Sequence, residues 1–599
     1  MSYNSPFKFL PPVVLRPLLL VIVLLSSCCL CRADIPKVLV IRANSDTVAM
    51  YDRYQLSLDF KAEFTNPFDP QEVSLKAVMT SPSGKTWNIN GFFNYNSWQS
   101  QWQVRFAPNE TGRWSYQLYI EDKNGVNDST RNYFQVIPSK INKGPVRVAP
   151  NNRYLQYDNG DTYYGVGLWY NDGYAAFNRG QIKETTLDEL KALGVNFISS
   201  FITPLETQAS GVGRYDQSIS GRLDEVLQML EERDMQLSLN IWFHAFLSET
   251  VWGGGNIRWN TNPYRQITEA KDFYRSEDAW KAQENLYRYM IARWGYSKAM
   301  MLWFIVDEVN GTDGWTSGDS LQAAVWGKKV HDYFKANDPY QHLTTGTRSG
   351  GIGEYWHEGY QIFDLPSREI YEAQGFSMIK DGGIANQEEH PLVLSYNNYA
   401  GQVTKLWTNY EKPAIIGETG WDHTYYEPSM PGYQSLYHNA LWVSLANGTA
   451  MSPFWWAYSG YLNDNIITNQ IRSLSRFTKE IPFAKLTHVS KIDTISGGHD
   501  AFAITSDQMI FGWVADPMTD VTGATISLTL KNTYRPLSSY VSKYKVRVYH
   551  TWRGAFIYEG EAMVTDGNKL SFTLPVLKPA GGHGNYMGQD AAFILEPMK

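Results

Sequence analysis

The chain has 599 residues, a formal charge of −7, 43% hydrophobic and 19% charged residues. That length exceeds what one hydrophobic core sustains and implies two to four domains, and the composition is that of a folded protein rather than a disordered one. A net acidic chain without a basic stripe has no bulk attraction for nucleic acid, so no nucleic-acid partner is expected.

Residues 1–33 read as an export signal. Lys8 and Arg16 precede the apolar run Pro17–Leu25, and small residues follow, the order of a secretory leader. The run is too short for a comfortable membrane span. Two processing sites compete. Leu25-Ser-Ser-Cys28 has the form of a bacterial lipobox, which would anchor the protein through a lipid on Cys28, whereas cleavage after Ala33 would release it. A secreted, periplasmic or cell-surface protein is expected, with membrane contact only through that anchor. Cys28, Cys29 and Cys31 all lie in this segment, so the folded body is left without disulfides, thiolate metal ligands or a cysteine nucleophile. Removing the segment takes the charge from −7 to −10. The sequons at Asn109, Asn127, Asn310 and Asn447 matter only in a eukaryotic host.

Residues 36–137 alternate apolar and polar positions in short runs such as Gln55–Phe60, Trp102–Phe106 and Trp114–Ile120. Turn clusters at Ser81–Gly84 and Lys123–Gly125 separate them, which predicts a β-sandwich. From Tyr154 the pattern changes. Apolar runs at 163–169, 195–202, 235–242, 301–308, 342–346, 392–398, 412–418 and 451–456 alternate with amphipathic stretches such as Thr186–Leu193 and Ala279–Trp294. Eight strands alternating with helices, with no Gly-rich phosphate loop after the first, predict a (β/α)8 barrel over 148–478 rather than a doubly wound sheet. For strand six, 392–398 competes with 362–365, and 392–398 is preferred. Asp158-Asn-Gly-Asp161 lacks the later ligands of a calcium loop and reads as a hairpin turn. Residues 484–599 alternate again and predict a second β-sandwich. The fold class is thus α/β, a TIM barrel flanked by N-terminal and C-terminal β-sandwiches.

Two glutamates carry the chemistry. Glu308 ends the run Met301–Glu308, and Glu418 ends the apolar part of Lys412–Trp421. Continuous apolar runs are buried parallel strands, and their C-terminal ends are where such barrels hold catalytic groups. One such glutamate alone could be an ion-pair partner. Two facing one cleft are the equipment of a glycosidase, in which one carboxyl protonates the leaving oxygen and the other attacks or activates water. The 21 Trp and 39 Tyr suit clefts that pack on the C–H faces of sugars. Trp169, Trp242, His244, Arg348 and Trp421 fall at or just beyond predicted strand ends and are candidate cleft residues. His244 has no H-x-H or H-E-x-x-H partner, so neither a metal nor another cofactor is expected.

On these residues the stretch 150–475 resembles the superfamily of (β/α)8 retaining glycosidases that includes the family 5 cellulases. With its leading sandwich and its Gly165-Val-Gly-Leu-Trp169 entry, the layout also resembles apiosidase-like glycosidases of polysaccharide-degrading bacteria. The resemblance implies that Glu308 is the acid/base and Glu418 the nucleophile. It also implies a Trp on strand eight, Trp455 or Trp456, flooring the subsite, and Tyr396 on strand six bonding the nucleophile. The chain departs from the pattern at Asp307, where the superfamily has an Asn that donates to the substrate, and in showing no Arg at the end of strand two. A carboxylate beside Glu308 would help keep Glu308 protonated. The expected function is an exported glycoside hydrolase cleaving plant or algal polysaccharide or oligosaccharide, by the retaining route in the superfamily's manner. The alternative is an inactive glycan-binding surface protein on the same scaffold.

Overall fold

The computed structural model describes residues 34–96, 99–170, 182–349, 355–371, 391–420, 431–457, 465–492, 494–516, 520–530, 541–565, 568–578 and 590–598. The leader with Cys28, and also Trp421, lie outside the described residues.

The N-terminal region forms two sheets. One holds Lys37–Ala43, Tyr54–Lys61, Gln99–Phe106 and Phe92–Asn96 in that order. The other runs through Thr47–Ala49, Asn132–Ile137, Gly112–Asp122, Val73–Thr80 and Thr86–Asn90. Alternation along Tyr54–Lys61 turns Tyr54, Leu56 and Leu58 to one face, and these share a core with Val104, Trp114 and Leu118. Asp158–Asp161 is the turn of a small hairpin between Leu155–Tyr157 and Thr162–Tyr163. The C-terminal region is a nine-stranded sheet around Val514, Val546 and Phe593.

Between them lies a parallel sheet of eight strands: β1 (Gly167–Tyr170), β2 (Phe197–Phe201), β3 (Gln236–Trp242), β4 (Met300–Val306), β5 (Leu343–Thr345), β6 (Ser367–Tyr371), β7 (Ile415–Gly420) and β8 (Trp455–Ala457). Their spatial order is β5-β4-β3-β2-β1-β8-β7-β6. The seam between β5 and β6 has no ladder, but Leu365 N–H donates to Thr344 O at 3.2 Å and Glu369 N–H to Arg348 O at 3.3 Å. The sheet is therefore a nearly closed barrel. Every residue of β2, β3 and β4 is buried, because the helices cover the outside while side chains fill the inside, and this is why the strands read as unbroken apolar runs.

The helices are α1 (Glu184–Leu193), α2 (Gln217–Glu232), α3 (Glu277–Trp294), α4 (Ser320–Asn337), α5 (His357–Ile362), α6 (Pro391–Tyr410), α7 (Pro431–Ala446) and α8 (Asn465–Thr478). Caps written in the sequence set several of their ends. Asp216, Ser276 and Asp319 accept backbone N–H groups at the starts of α2, α3 and α4, and Gly194 closes α1 at φ 93°. Among the described residues no helix is long and apolar enough to cross a membrane.

One assignment is corrected. The run 392–398 is not strand six but the first part of α6. It continues into Tyr399, Val403 and Leu406, all buried, so the apolar positions form a helical stripe that the shorter window reads as a strand. The sixth strand is Ser367-Arg-Glu-Ile-Tyr371. It escapes hydropathy because Arg368 and Glu369 carry ionisable side chains, yet both are fully buried. The competing run 362–365 lies between α5 and β6.

Candidate active site

The C-terminal ends of β3, β4, β6 and β7 converge on a cluster of ionisable groups. Asp307 and Glu308 follow β4 directly. Glu308 sits at φ 46° and ψ 57°, a left-handed conformation that costs a non-glycine residue free energy and clusters at functional sites. The chain is held there by two bonds to Thr347: Glu308 N–H donates to Oγ1 at 3.0 Å and Val309 N–H to the carbonyl at 3.0 Å. Glu418 is carried by β7 and lies in register with Glu369 of β6. The tightness of this packing is set by Gly417, where a Cβ would meet Ser367 Oγ at 2.4 Å and Thr347 Cγ2 at 2.6 Å.

Three carboxylates, Asp307, Glu369 and Glu418, bring oxygens within 4.8 Å of one another, and all three residues are buried. Acid groups this close share protons or a cation. His244, in the turn after β3, places Nδ1 3.0 Å from Glu308 Oε2 and 3.5 Å from Asp307 Oδ2. Its Nε2 lies 3.2 Å from Asn256 Oδ1. The Tyr371 hydroxyl donates to Glu418 Oε1, and the Thr347 hydroxyl donates to Glu369 Oε1.

The electrostatics follow from these neighbours. Burial opposes charge on His244, but Glu308 and Asp307 outweigh it and lift its pKa to about 10. Burial pushes Glu308 up, but the His244 cation outweighs it and holds the carboxyl below its ordinary value. Glu418 is pushed well above the carboxylate range, first by burial and then by Asp307 and Glu308. Glu369 is driven well up by burial and by Glu308, Glu418 and Asp307. Asp307 is raised by burial, against the pull of His244. The expectation that Asp307 keeps Glu308 protonated is thus reversed, because His244 outweighs it. His244, expected as a cleft residue, favours the ionised form of Glu308, while the neutral form is favoured at Asp307, Glu369 and Glu418.

The other expected residues are placed as follows. Trp169 is fully buried. It stacks on Phe201 with ring centroids 4.6 Å apart, and its Nε1 donates to Gly417 O at 2.8 Å, bracing the residue before Glu418. Trp456 is half-buried, 5.7 Å from the Trp169 ring and against Gly420, and belongs to the mouth. Trp455 faces away, edge-on to Tyr437 of α7 at 4.8 Å. Trp242 also turns toward the helix layer, where its Nε1 donates to the Tyr287 hydroxyl of α3 at 2.8 Å. Arg348 is half-buried with its guanidinium 5.8 Å from the Trp315 ring. Tyr396 stands on α6 rather than on a strand, with its side chain outside the described residues. The bond to Glu418 expected of it is made by Tyr371.

Glu369, Tyr371 and Trp252 were not legible as site residues. The first two sit in the strand that hydropathy misses. Trp252 is half exposed, adopts φ 62°, and lies 5.1 Å from the His244 ring. The signal for it is the Gly253-Gly254-Gly255 run, which marks a tight loop at the barrel mouth.

Residues 47–121 match the family model of a domain of unknown function, DUF5060. A search of curated protein sequences returns no match. Among solved structures, the chain is similar to a provisionally assigned glycoside hydrolase from Bacteroides vulgatus ATCC 8482, with a TM-score of 0.62 and 18% identity over 92% of this chain and 100% of that one. A glycoside hydrolase family 5 mannosidase from Rhizomucor miehei aligns with a TM-score of 0.43 and 15% identity over 57% of this chain and 99% of that one. A family 39 glycoside hydrolase from Bacteroides cellulosilyticus WH2 aligns with a TM-score of 0.40 and 13% identity over 93% of this chain and 100% of that one. The first of these likenesses shows a shared fold across nearly the whole chain.

Proposed function

We propose that the protein is an exported glycoside hydrolase that cleaves O-glycosidic bonds of plant or algal polysaccharide or oligosaccharide by a retaining, two-glutamate mechanism. The observation that carries this reading is the pair of carboxyls at one barrel mouth, Glu308 half-buried just after β4 and Glu418 buried on β7, moved in opposite directions by their neighbours. In the proposed cycle Glu418, steadied by Tyr371, attacks the anomeric carbon, and Glu308 protonates the leaving oxygen, then deprotonates the water that releases the sugar. Glu308 is lowered and Glu418 raised, so the cycle begins with Glu418 releasing its proton to solvent and a proton reaching Glu308. His244 Nδ1, 3.0 Å away, is the group that supplies it. Trp456 and the exposed face of Trp252 offer flat apolar surfaces for sugar rings. The flanking sheets, over 36–137 and 484–599, are read as β-sandwich domains supporting a catalytic barrel at 148–478. Residues 1–33 are read as the leader that exports the enzyme, released or held by lipid.

The test compares wild type, Glu308→Ala and Glu418→Ala on plant and algal glycans and on aryl glycosides. Both variants should lose about 10²–10⁴-fold in kcat/KM, with azide restoring turnover in one of them and the configuration of the glycosyl azide assigning the roles. Activity that survives either substitution sinks the reading. Tight glycan binding without any cleavage by wild type favours the binding-protein alternative.

A further inference from the structure

The mechanism above uses Glu308 and Glu418 and leaves Glu369 without a part, although it is the most enclosed acid of the cluster. Its residue is fully buried. Oε1 accepts from the Thr347 hydroxyl, while Oε2 is buried with no donor among the described residues. One of its oxygens lies within 4.8 Å of an oxygen of Asp307 and of Glu418, acids that present no N–H. The cation of the site, His244, lies against Glu308 and Asp307. The neighbouring Arg368 is turned elsewhere: its guanidinium lies 4.8 Å over the Tyr355 ring and its Nε donates to the Glu369 backbone carbonyl at 3.3 Å. Glu418 beside it in register already accepts from Tyr371. The titratable groups facing Glu369 are thus Glu308 and Asp307 from β4, Glu418 from β7, Tyr371 and Arg368 from its own strand, and Tyr360 from α5. Carboxyls this close need a proton between them, and it rests on the one without a cation beside it: Asp307 Oδ1 likewise has no donor among the described residues, but Asp307 and Glu308 face His244 and Glu369 does not.

We infer that Glu369 is a positioning residue, a neutral carboxylic acid that donates its proton as a hydrogen bond to the Asp307–Glu308 pair and so holds Glu308 against His244. The inference rests on the glycosidase reading for its kinetic consequence but not for the protonation itself. Glu369 occupies the pocket as a donor on one oxygen and an acceptor from Thr347 on the other, which an amide can reproduce and a methyl group cannot.

The experiment compares wild type, Glu369→Gln and Glu369→Ala, with thermal melts confirming that each is folded. Infrared difference spectra near neutral pH should show a buried protonated-carboxyl C=O band in wild type that Glu369→Gln loses. An unchanged spectrum overturns the inference whether or not the protein cleaves any substrate. In assays of cleavage, Glu369→Ala should lose about 10²-fold in kcat/KM, the scale of a misplaced catalytic group, while Glu369→Gln stays within about tenfold and moves the alkaline limb of the pH profile upward. Equal losses in both folded variants, or a limb that does not move, overturn it. So does activity that a chelator abolishes and added Ca²⁺ restores, since a cation would then neutralise the cluster. Silence of wild type on every glycan counts against the glycosidase reading alone, and the infrared comparison still decides this one.

Discussion

Glu308 is held by opposing demands: a left-handed backbone that disfavours its side chain and a histidine cation that rewards it. Because His244 holds Glu308 below its ordinary value while Glu418 is raised, Glu418 sets the acid side of the pH dependence. Glu418 is raised well above an ordinary glutamate, whose reference value is about 4.3, and it must lose its proton to attack. Activity should therefore rise with pH along an acid limb that lies above the ordinary carboxylate range. A profile of kcat/KM from pH 3 to 9 checks this, and an acid limb near about 4 would show that the cluster does not perturb Glu418. Replacing Tyr371 by Phe removes the hydroxyl that stabilises the ionised Glu418, so it should push that limb higher still.

At the scale of the element, β7 depends on Gly417. An added methyl would collide with Ser367 on β6 and with Thr347 beyond β5, and β7 would have to move away from the strands it packs against. Gly417→Ala should cost about 1–3 kcal/mol of stability, the range for overpacking a filled core, and should reduce turnover more than that loss alone explains. Urea melts read beside kcat separate the two. The same elements show what a sequence discloses. β4 and β7 were legible because burial on both faces writes an uninterrupted apolar run, and a glutamate closing such a run stands out. β6 was not, because Arg368 and Glu369 interrupt the pattern and meet inside the Tyr355 ring and the Thr347 hydroxyl, contacts that no local pattern encodes. Tyr371 is hidden with it, and the part it plays is expected instead of Tyr396, whose local sequence fits a strand until the helix through Tyr410 is included. His244 was visible as a residue near a strand end, but its pairing with Glu308 depends on where the loop after β3 folds back, which no local pattern encodes.

Across the whole molecule, the barrel is tied to both flanking regions by buried charge. Arg105 of the N-terminal sheets and Arg293 of α3 both bind Asp224 of α2, with Nη–Oδ distances of 2.8 and 2.7 Å, and Trp294 Nε1 donates to the same carboxyl at 2.8 Å. Burial would raise the Asp224 pKa, but the two guanidinium groups outweigh it and hold it below the ordinary value. A depressed carboxyl stabilises the fold fully above its unfolded value, about 3.9, and the contribution disappears as pH falls toward the folded one. Asp224→Asn should therefore cost about 3–5 kcal/mol at neutral pH, as breaking a buried pair does, and the gap between variant and wild type should shrink below about pH 4. Chemical denaturation at pH 7 and pH 3 tests both parts. On the other side, Asp590 before the last strand meets His438 of α7 at 2.8 Å, and Trp552 stacks on that imidazole at 3.8 Å. These ties restrict recombination. A barrel excised between its neighbours would carry Arg293 with a half-satisfied Asp224 on one flank and His438 stripped of its carboxylate on the other. Gene fusions that exchange its flanking regions should yield folded chimeras only where the incoming partner brings its own equivalents of Arg105 and Asp590.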